Sequence, residues 1–256
     1  MEQAYKIDLY NQIKEFYELY ENRPVKDNLG GMLSPHLFNT WYALKTLKPK
    51  LVIESGVWKG LGTWVIRKAV PDSKVISIDI DFSRLVYKDQ NVLYLNKDIK
   101  TYDWNKIFLD NNIKSEEVLV FLDDHQDFLE RLSFLDGLGI KYILYEDNYP
   151  SFQGDCLSPK KIISCSDYII DKNGSKTLNK YSYYLYEEFY KYVKLYQELP
   201  PIFKLENTRW GDTWNELNYP TEKAILDNSY KEEFSLFFEE AKYYTWICYI
   251  QLGANK

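Results

Sequence analysis

Two short acidic runs carry the densest chemistry in the chain. Phe121-Leu122-Asp123-Asp124-His125-Gln126 and Tyr145-Glu146-Asp147-Asn148-Tyr149-Pro150 each close a run of apolar residues. If the two runs are neighbouring strands, their tips lie about 5 Å apart. Asp123 or Asp124, Asp147 and the carbonyl of Asn148 then converge on one spot. Carboxylates packed this way repel one another unless a cation sits among them. An all-oxygen donor set suits a hard divalent ion such as Mg²⁺ better than zinc. The doubled acid leaves open which of Asp123 and Asp124 faces the ion. His125 adjoins the cluster, and imidazole titrates closer to neutrality than any other side chain. That makes His125 the candidate general base and Asp123, two residues before it, the second candidate catalytic residue. The same ring is also suited to capping the following helix or supporting the ligands. His36, the other of the two histidines, precedes a helical stretch and reads first as a packing or surface residue.

A second constellation lies further upstream. Glu54-Ser55-Gly56-Val57-Trp58-Lys59-Gly60-Leu61-Gly62-Thr63 is a glycine-rich turn between an apolar run and a helical pattern. A dinucleotide fingerprint needs GxGxxG, so that backbone approaches a pyrophosphate at a helix N-terminus. Here Gly60-Leu61-Gly62-Thr63-Trp64-Val65 places Val where the helix-packing glycine belongs, and it starts too far past the strand. The next apolar run ends in Ile78-Asp79-Ile80-Asp81. A carboxylate at such a tip accepts both hydrogen bonds of a ribose diol, which makes Asp79 the candidate ribose ligand. Asn96-Lys97-Asp98-Ile99 offers Asp98 at a third tip, where it is equally suited, like Asp103, to cap a helix.

These residues need a scaffold that brings strand ends together. Leu51-Val52-Ile53, Val75 to Ile78, Val92 to Leu95, Val118 to Leu122 and Tyr142 to Tyr145 are short apolar runs separated by helical segments. That pattern predicts a mostly parallel, doubly wound α/β sheet of Rossmann-like type, with ligands at the carboxyl ends of its strands. Ahead of it, Ile7, Tyr10, Ile13, Phe16, Tyr17 and Tyr20 form a helical stripe, and a second helix runs from about His36 to Leu47. Residues 1–48 therefore read as a helical lead-in or cap, and residues 49–256 as the α/β domain. After about residue 150 the pattern is an irregular acceptor-side elaboration. It holds a short apolar piece at Tyr168 to Ile170, a long aromatic helix from about Ser182 to Leu199 and a short strand at Ile202 to Leu205. The run Tyr243 to Leu252 fits either a strand or a helix end.

The E-x-G-x-x-x-G turn resembles that of class I S-adenosylmethionine-dependent methyltransferases. The resemblance implies a cofactor site made by Glu54, Gly56, Val57, Trp58, Gly60 and Thr63, with Asp79 and Ile80, Asp98 and Asp123. It implies that Glu54 holds the methionine end of the cofactor and that Asp98 takes the adenine amino group. The LDxH run, followed by a strand ending in DN, is similar to the metal site of catechol-type O-methyltransferases. On that likeness Asp123, Asp147 and Asn148 are ligands, with Asp124 competing for the first place. The acid spacing is shorter than in that family, and Gln126 stands where its catalytic lysine belongs. The run DDHQ…EDNYP…GDC is also similar to methyltransferases associated with surface glycans. It implies a sugar or phosphate-derived acceptor in polysaccharide biosynthesis. Asp155, Cys156 and Lys160, in the loop after the fifth strand, are placed to line an acceptor pocket, Cys156 reading first as a small buried residue, and Trp58, Tyr149 and Trp210 are candidate rings to frame it. The competing readings are a nicotinamide oxidoreductase, a non-catalytic cofactor-binding module and, least favoured, a mononuclear iron oxygenase.

Composition bounds the rest. At 256 residues the chain is long enough for one large core without disulfides. Three scattered cysteines, Cys156, Cys165 and Cys248, show no CxxC spacing and fit a reducing, cytoplasmic setting. With 32 basic against 38 acidic residues, the net charge of −6 disfavours nucleic acid as a partner. No apolar stretch is long enough to span a membrane. A small-molecule acceptor and a homodimer are compatible with all of this.

Overall fold

The computed structural model describes residues 2–151, 153–164, 168–170, 176–178, 180–215 and 219–253; Cys165 lies outside them. Helices α1 (Glu2–Glu21) and α2 (Ser34–Leu47) precede the alternation of β1 (Leu51–Ser55), α3 (Leu61–Ala69), β2 (Lys74–Ile78), β3 (Val92–Leu95), α4 (Trp104–Asp110), β4 (Val118–Leu122), α5 (Phe128–Gly137) and β5 (Tyr142–Tyr145). Then come α6 (Pro159–Ile163), the hairpin of β6 (Tyr168–Ile170) and β7 (Lys176–Leu178), α7 (Lys180–Tyr192), β8 (Val193–Glu198), α8 (Ser235–Glu240) and β9 (Cys248–Leu252).

Seven strands form one sheet in the order β3-β2-β1-β4-β5-β9-β8. The first five pair in parallel, and β9 runs antiparallel to both β5 and β8. This is the doubly wound, mostly parallel sheet that the apolar runs predict. β1 and β4 are wholly buried, as unbroken apolar runs covered on both faces must be. One face packs against α1, α2 and α3 through Phe16, Trp41 and Val65. The other packs against α4, α5 and α7 through Phe108, Leu132 and Phe189. The strand order reverses between β1 and β4, which opens a crevice at their carboxyl ends.

Two expectations change, and one open alternative is settled. The aromatic helix ends at Tyr192, and Val193–Glu198 is an edge strand, because its alternating exposure matches a ladder with β9. Ile202 to Leu205 is not a strand. Ile202 and Phe203 enter the core, while the carbonyls of Pro201 and Ile202 accept from the N–H groups of Ile225 and Leu226. The final apolar run resolves as β9, whose burial alternates residue by residue. Among the described residues, no helix is long and apolar enough to cross a membrane.

Candidate active site

The crevice at the strand-order reversal is a cleft of about 300 Å³, walled by the turn after β1, the tips of β2 and β4, and the Gly30-Gly31 loop. Gly56 sits at its base with φ +94°, a region that side chains rarely adopt. A Cβ there would lie 1.7 Å from the carbonyl oxygen of Asp123, so only glycine lets the tips of β1 and β4 close together. The N–H groups of Val57 and Trp58 donate to Asp79 Oδ2 at 2.9 and 3.1 Å, and the N–H of Asp81 donates to Asp79 Oδ1 at 3.0 Å. Asp79 thus braces the turn from the tip of β2. Trp58, at φ +52°, lays its indole under Gly30 and Gly31, with the Arg84 guanidinium 4.5 Å from the ring centre. Ile80 lines the same cleft and is 79% exposed, an apolar surface open to a flat ligand.

Three residues of the expected cofactor set do not line the cleft. Glu54 is fully buried on the α3 face of the sheet, where Thr63 and Ser77 each donate to its Oε2 at 2.5 Å. Burial pushes its pKa up to about 7 despite those bonds, and its Oε1 has no hydrogen-bond partner. Successive strand residues point to opposite faces, so Ser55 reaches the cleft and Glu54 cannot. Thr63 is held by Glu54. Gly60 starts α3 but is covered, since the N–H groups of Val86 and Tyr87 donate to the carbonyl of Lys59 and a Cβ on Gly60 would meet Tyr87 O at 2.3 Å.

The acids along the cleft fall into two sets. Arg131 of α5, 2% exposed, donates to both oxygens of Asp98 at 3.1 and 2.7 Å. Its Nε also donates to Asp124 Oδ2 at 3.1 Å, and Ser55 Oγ donates to the same oxygen at 2.7 Å. Burial alone would raise the pKa of Asp98, but Arg131 and the N–H of Lys100 outweigh it and hold the carboxyl below its ordinary range. Asp98 therefore does what a capping acid does, and its link to Arg131 uses the oxygens that adenine was expected to meet. Asp103 likewise caps α4.

The other set has a histidine ring where the first has an arginine. Ligand atoms of Asp123, His125 and Asp147 all lie within 4.8 Å of one another. Asp147 is fully buried; its Oδ2 accepts the N–H of His125 at 2.9 Å, while its Oδ1 makes no hydrogen bond. That bond holds His125 at φ +52°, a strained backbone of the kind found at functional sites. His125 Nδ1 faces Asp155 Oδ1 at 3.1 Å and Asp147 Oδ1 at 3.4 Å, the latter too poorly aligned for a hydrogen bond. Burial opposes charge on this ring, but Asp147 and Asp155 prevail and raise its pKa. Burial, then the charges of Glu146 and Asp147, raises the pKa of Asp123 well above the carboxylate range. Asp147 is raised by burial against the pull of His125.

Asn148 does not face this cluster. Its Oδ1 accepts the N–H of Lys160 at 2.8 Å, and its Nδ2 donates to Tyr196 Oη at 3.0 Å and to the carbonyl of Trp246 at 2.6 Å. All its capacity goes into tying the end of β5 to α6, β8 and the approach to β9. Asp124 turns to Arg131, which leaves Asp123 as the acid beside Asp147. Cys156 is buried against Tyr145, and burial pushes its thiol up to about 12, so it is no nucleophile.

Two residues escaped the sequence reading. Glu146 is buried behind Asp147, and burial followed by the Asp147 charge raises its pKa to about 8. His36 packs against it, with Nε2 accepting the N–H of Thr245 at 2.8 Å and Nδ1 3.1 Å from Glu146 Oε1. Burial, with help from Arg209, lowers the His36 pKa to about 3, so the ring is neutral and structural. Arg131 was legible in principle. It is a lone cation among Phe128, Leu132 and Leu135 on the buried stripe of the helix that follows the acids.

No family model matches this sequence, and no curated protein matches it. Some solved structures are similar to it. CmcI in its D160 form with Mg-SAM is 22% identical, with TM-score 0.36, over 45% of this chain and 54% of that chain. This chain thus spans about half the length of CmcI. The O-methyltransferase TomG from Streptomyces achromogenes, in complex with SAM, is 8% identical with TM-score 0.44 over 88% of this chain and 82% of that one. An O-methyltransferase from Bacillus cereus, in complex with SAH, is 9% identical with TM-score 0.40 over 95% and 91%. These likenesses are distant.

Proposed function

We propose that the chain is an S-adenosylmethionine-dependent O-methyltransferase assisted by a divalent cation of the Mg²⁺ class. We further propose that it acts on a hydroxyl of a small molecule, sugar or phosphate-derived group, in surface-polysaccharide biosynthesis; the glycan link rests on the DDHQ…EDNYP…GDC resemblance. The observation that carries the reading is one cleft in which a turn braced by Asp79 meets the half-buried Asp123, backed by the buried Asp147, whose Oδ1 makes no hydrogen bond.

The residues fit both groups. The turn exposes Gly56, Val57 and Trp58 to the cleft without presenting a pyrophosphate nest, because the N-terminus of α3 is covered by the Leu85–Tyr87 segment. That same cover disfavours a nicotinamide dinucleotide. Asp79 Oδ1, which accepts a single backbone N–H, keeps a lone pair for a ribose hydroxyl, and Ile80 offers an apolar face for a nucleoside. Asp123 and Asp147 would hold the cation through oxygen, which suits a hard ion. Asp147 Oδ1 is a buried oxygen that makes no hydrogen bond and faces the His125 ring at 3.4 Å.

When bound, the sulfonium supplies the methyl carbon and the cation supplies Lewis acidity for the acceptor oxygen. The chain's own part is alignment, which in well-oriented systems lowers a barrier by about 7 to 11 kcal/mol. Asp155 and Asp147 face Nδ1 of His125 and favour the tautomer protonated there. Nε2 is left to accept the acceptor's hydroxyl proton, and the resulting imidazolium is stabilised by the same two carboxylates. Calorimetry with S-adenosylhomocysteine beside an NADH titration tests the reading. Binding of the first alone is expected, and binding of NADH alone would sink it.

A further inference from the structure

We infer that the turn of residues 28–31 is a strap on the cofactor cleft: it lifts from the Trp58 indole to let the nucleoside cofactor enter, and it seats again to retain the bound molecule. This rests on the methyltransferase reading. Gly30, Gly31 and Trp58 all line the cleft, and so do Asp79 and Ile80. The Trp58 N–H donates to Asp79 Oδ2 at 3.1 Å, so the seat of the strap is bonded to the candidate ribose ligand.

The strap is tied at its ends and loose at its tip. The N–H of Gly31 donates to Asn28 O at 3.0 Å, and Gly30 has φ +90°, as a type II turn requires of its third residue. Asn28 is buried and donates from Nδ2 to Met32 O at 2.8 Å, while Lys59 Nζ donates to Asp27 O at 2.7 Å. Among the described residues, the hydrogen bonds of residues 29–31 all stay within 27–31, and Leu29 is 60% exposed. A segment with so few ties to the rest of the fold opens at low free-energy cost.

What holds the tip is the indole. A Cβ on Gly31 would lie 2.8 Å from Trp58 Cδ1, and one on Gly30 would lie 3.2 Å from Cζ2, so the backbone rests directly on the ring. That contact carries a penalty. Trp58 Nε1 is buried and has no hydrogen-bond partner among the described residues, and a buried donor left unpaired is destabilising. Lifting the strap returns this N–H to water, and seating the strap removes it again. The two positions are therefore close in energy, and a ligand that touches only the seated strap shifts the balance toward it. Ile80, 79% exposed in the same cleft, is apolar surface that a nucleoside and the strap would cover together.

The test follows S-adenosylhomocysteine binding to the full chain by surface plasmon resonance, with hydrogen exchange of residues 27–33 measured beside it. In wild type the ligand is expected to slow exchange in that segment at least about tenfold, since a seated strap shields its amides. Gly31→Ala puts a methyl group against the indole. It should release the ligand at least about tenfold faster, with an association rate no lower than that of wild type, because lost contacts act mainly on dissociation. Wild-type dissociation in Gly31→Ala, a change confined to slower association, or no ligand-induced protection in wild type overturns the inference and leaves the methyltransferase reading intact. If Gly31→Ala does not fold, the exchange measurement on wild type decides. Failure of wild type to bind S-adenosylhomocysteine overturns both.

Discussion

The two halves of the cleft treat their carboxylates in opposite ways. At the tips of β2 and β3, Asp79 is occupied by backbone N–H groups and Asp98 by a buried arginine that also neutralises Asp124. At the tips of β4 and β5, Asp123, Glu146 and Asp147 have no guanidinium or ammonium bonded to them among the described residues, and burial, with neighbouring carboxylate charge, raises the pKa of each. Acids of the first kind shape a loop. Acids of the second kind remain costly until something from outside brings positive charge, which is why the second half reads as the reacting half.

The sharpest way to break that contrast is at Gly56, which joins the halves. Gly56→Ala drives a Cβ into the Asp123 carbonyl and imposes a disfavoured φ. Urea unfolding should show a loss of more than about 4 kcal/mol; a wild-type midpoint would mean the tips do not close as described. Next is Arg131→Met, which strands Asp98 and Asp124 without their counter-charge. Loss of one partner of a buried ion pair costs about 3 to 5 kcal/mol, and the lower end is expected because solvent still reaches Asp98. Little or no change would make the first half as uncompensated as the second.

Asp147→Asn addresses the reacting half alone. It keeps an oxygen to accept the His125 N–H but removes the charge. Mn²⁺ or Mg²⁺ affinity by calorimetry should fall at least about 100-fold, with S-adenosylhomocysteine affinity within about twofold of wild type. Undiminished ion binding would show that the cluster is not the ion site.

A further effect is expected at Glu54, whose folded pKa of about 7 lies above the ordinary carboxylate value of 4.5. The folded chain keeps this proton where the unfolded chain has lost it, so its contribution is full below the unfolded value and is lost as pH rises through about 7. Wild type should lose roughly 3 kcal/mol across that window from this group, and Glu54→Gln should have a correspondingly flatter pH dependence of stability. Parallel curves would place Glu54 in contact with water.

How much was legible follows from the range of each signal. Unbroken apolar runs separated by helical patterns reveal a parallel sheet because burial on both faces leaves no other composition for a strand. The acids at the strand ends were legible because the crevice rule depends on topology alone. The edge strand Val193–Glu198 was hidden, since its partner β9 lies some fifty residues further along the chain. Side-chain direction was hidden too. Asp123 and Asp124 are adjacent and chemically identical, as are Asp147 and Asn148 in their reach, and only one of each pair faces the cluster.

The amino-acid sequence alone determined the layer architecture, the glycine that the β1–β4 approach demands and the place where polar residues gather. Only the tertiary structure decided which acids are neutralised. That choice depends on where Arg131 arrives from α5, on the opposite facing of Glu54 and Ser55 along β1, and on the partners that Lys160, Tyr196 and Trp246 offer to Asn148. Burial and charge compensation are properties of three-dimensional neighbours, and neighbours distant in sequence leave no periodic trace in it.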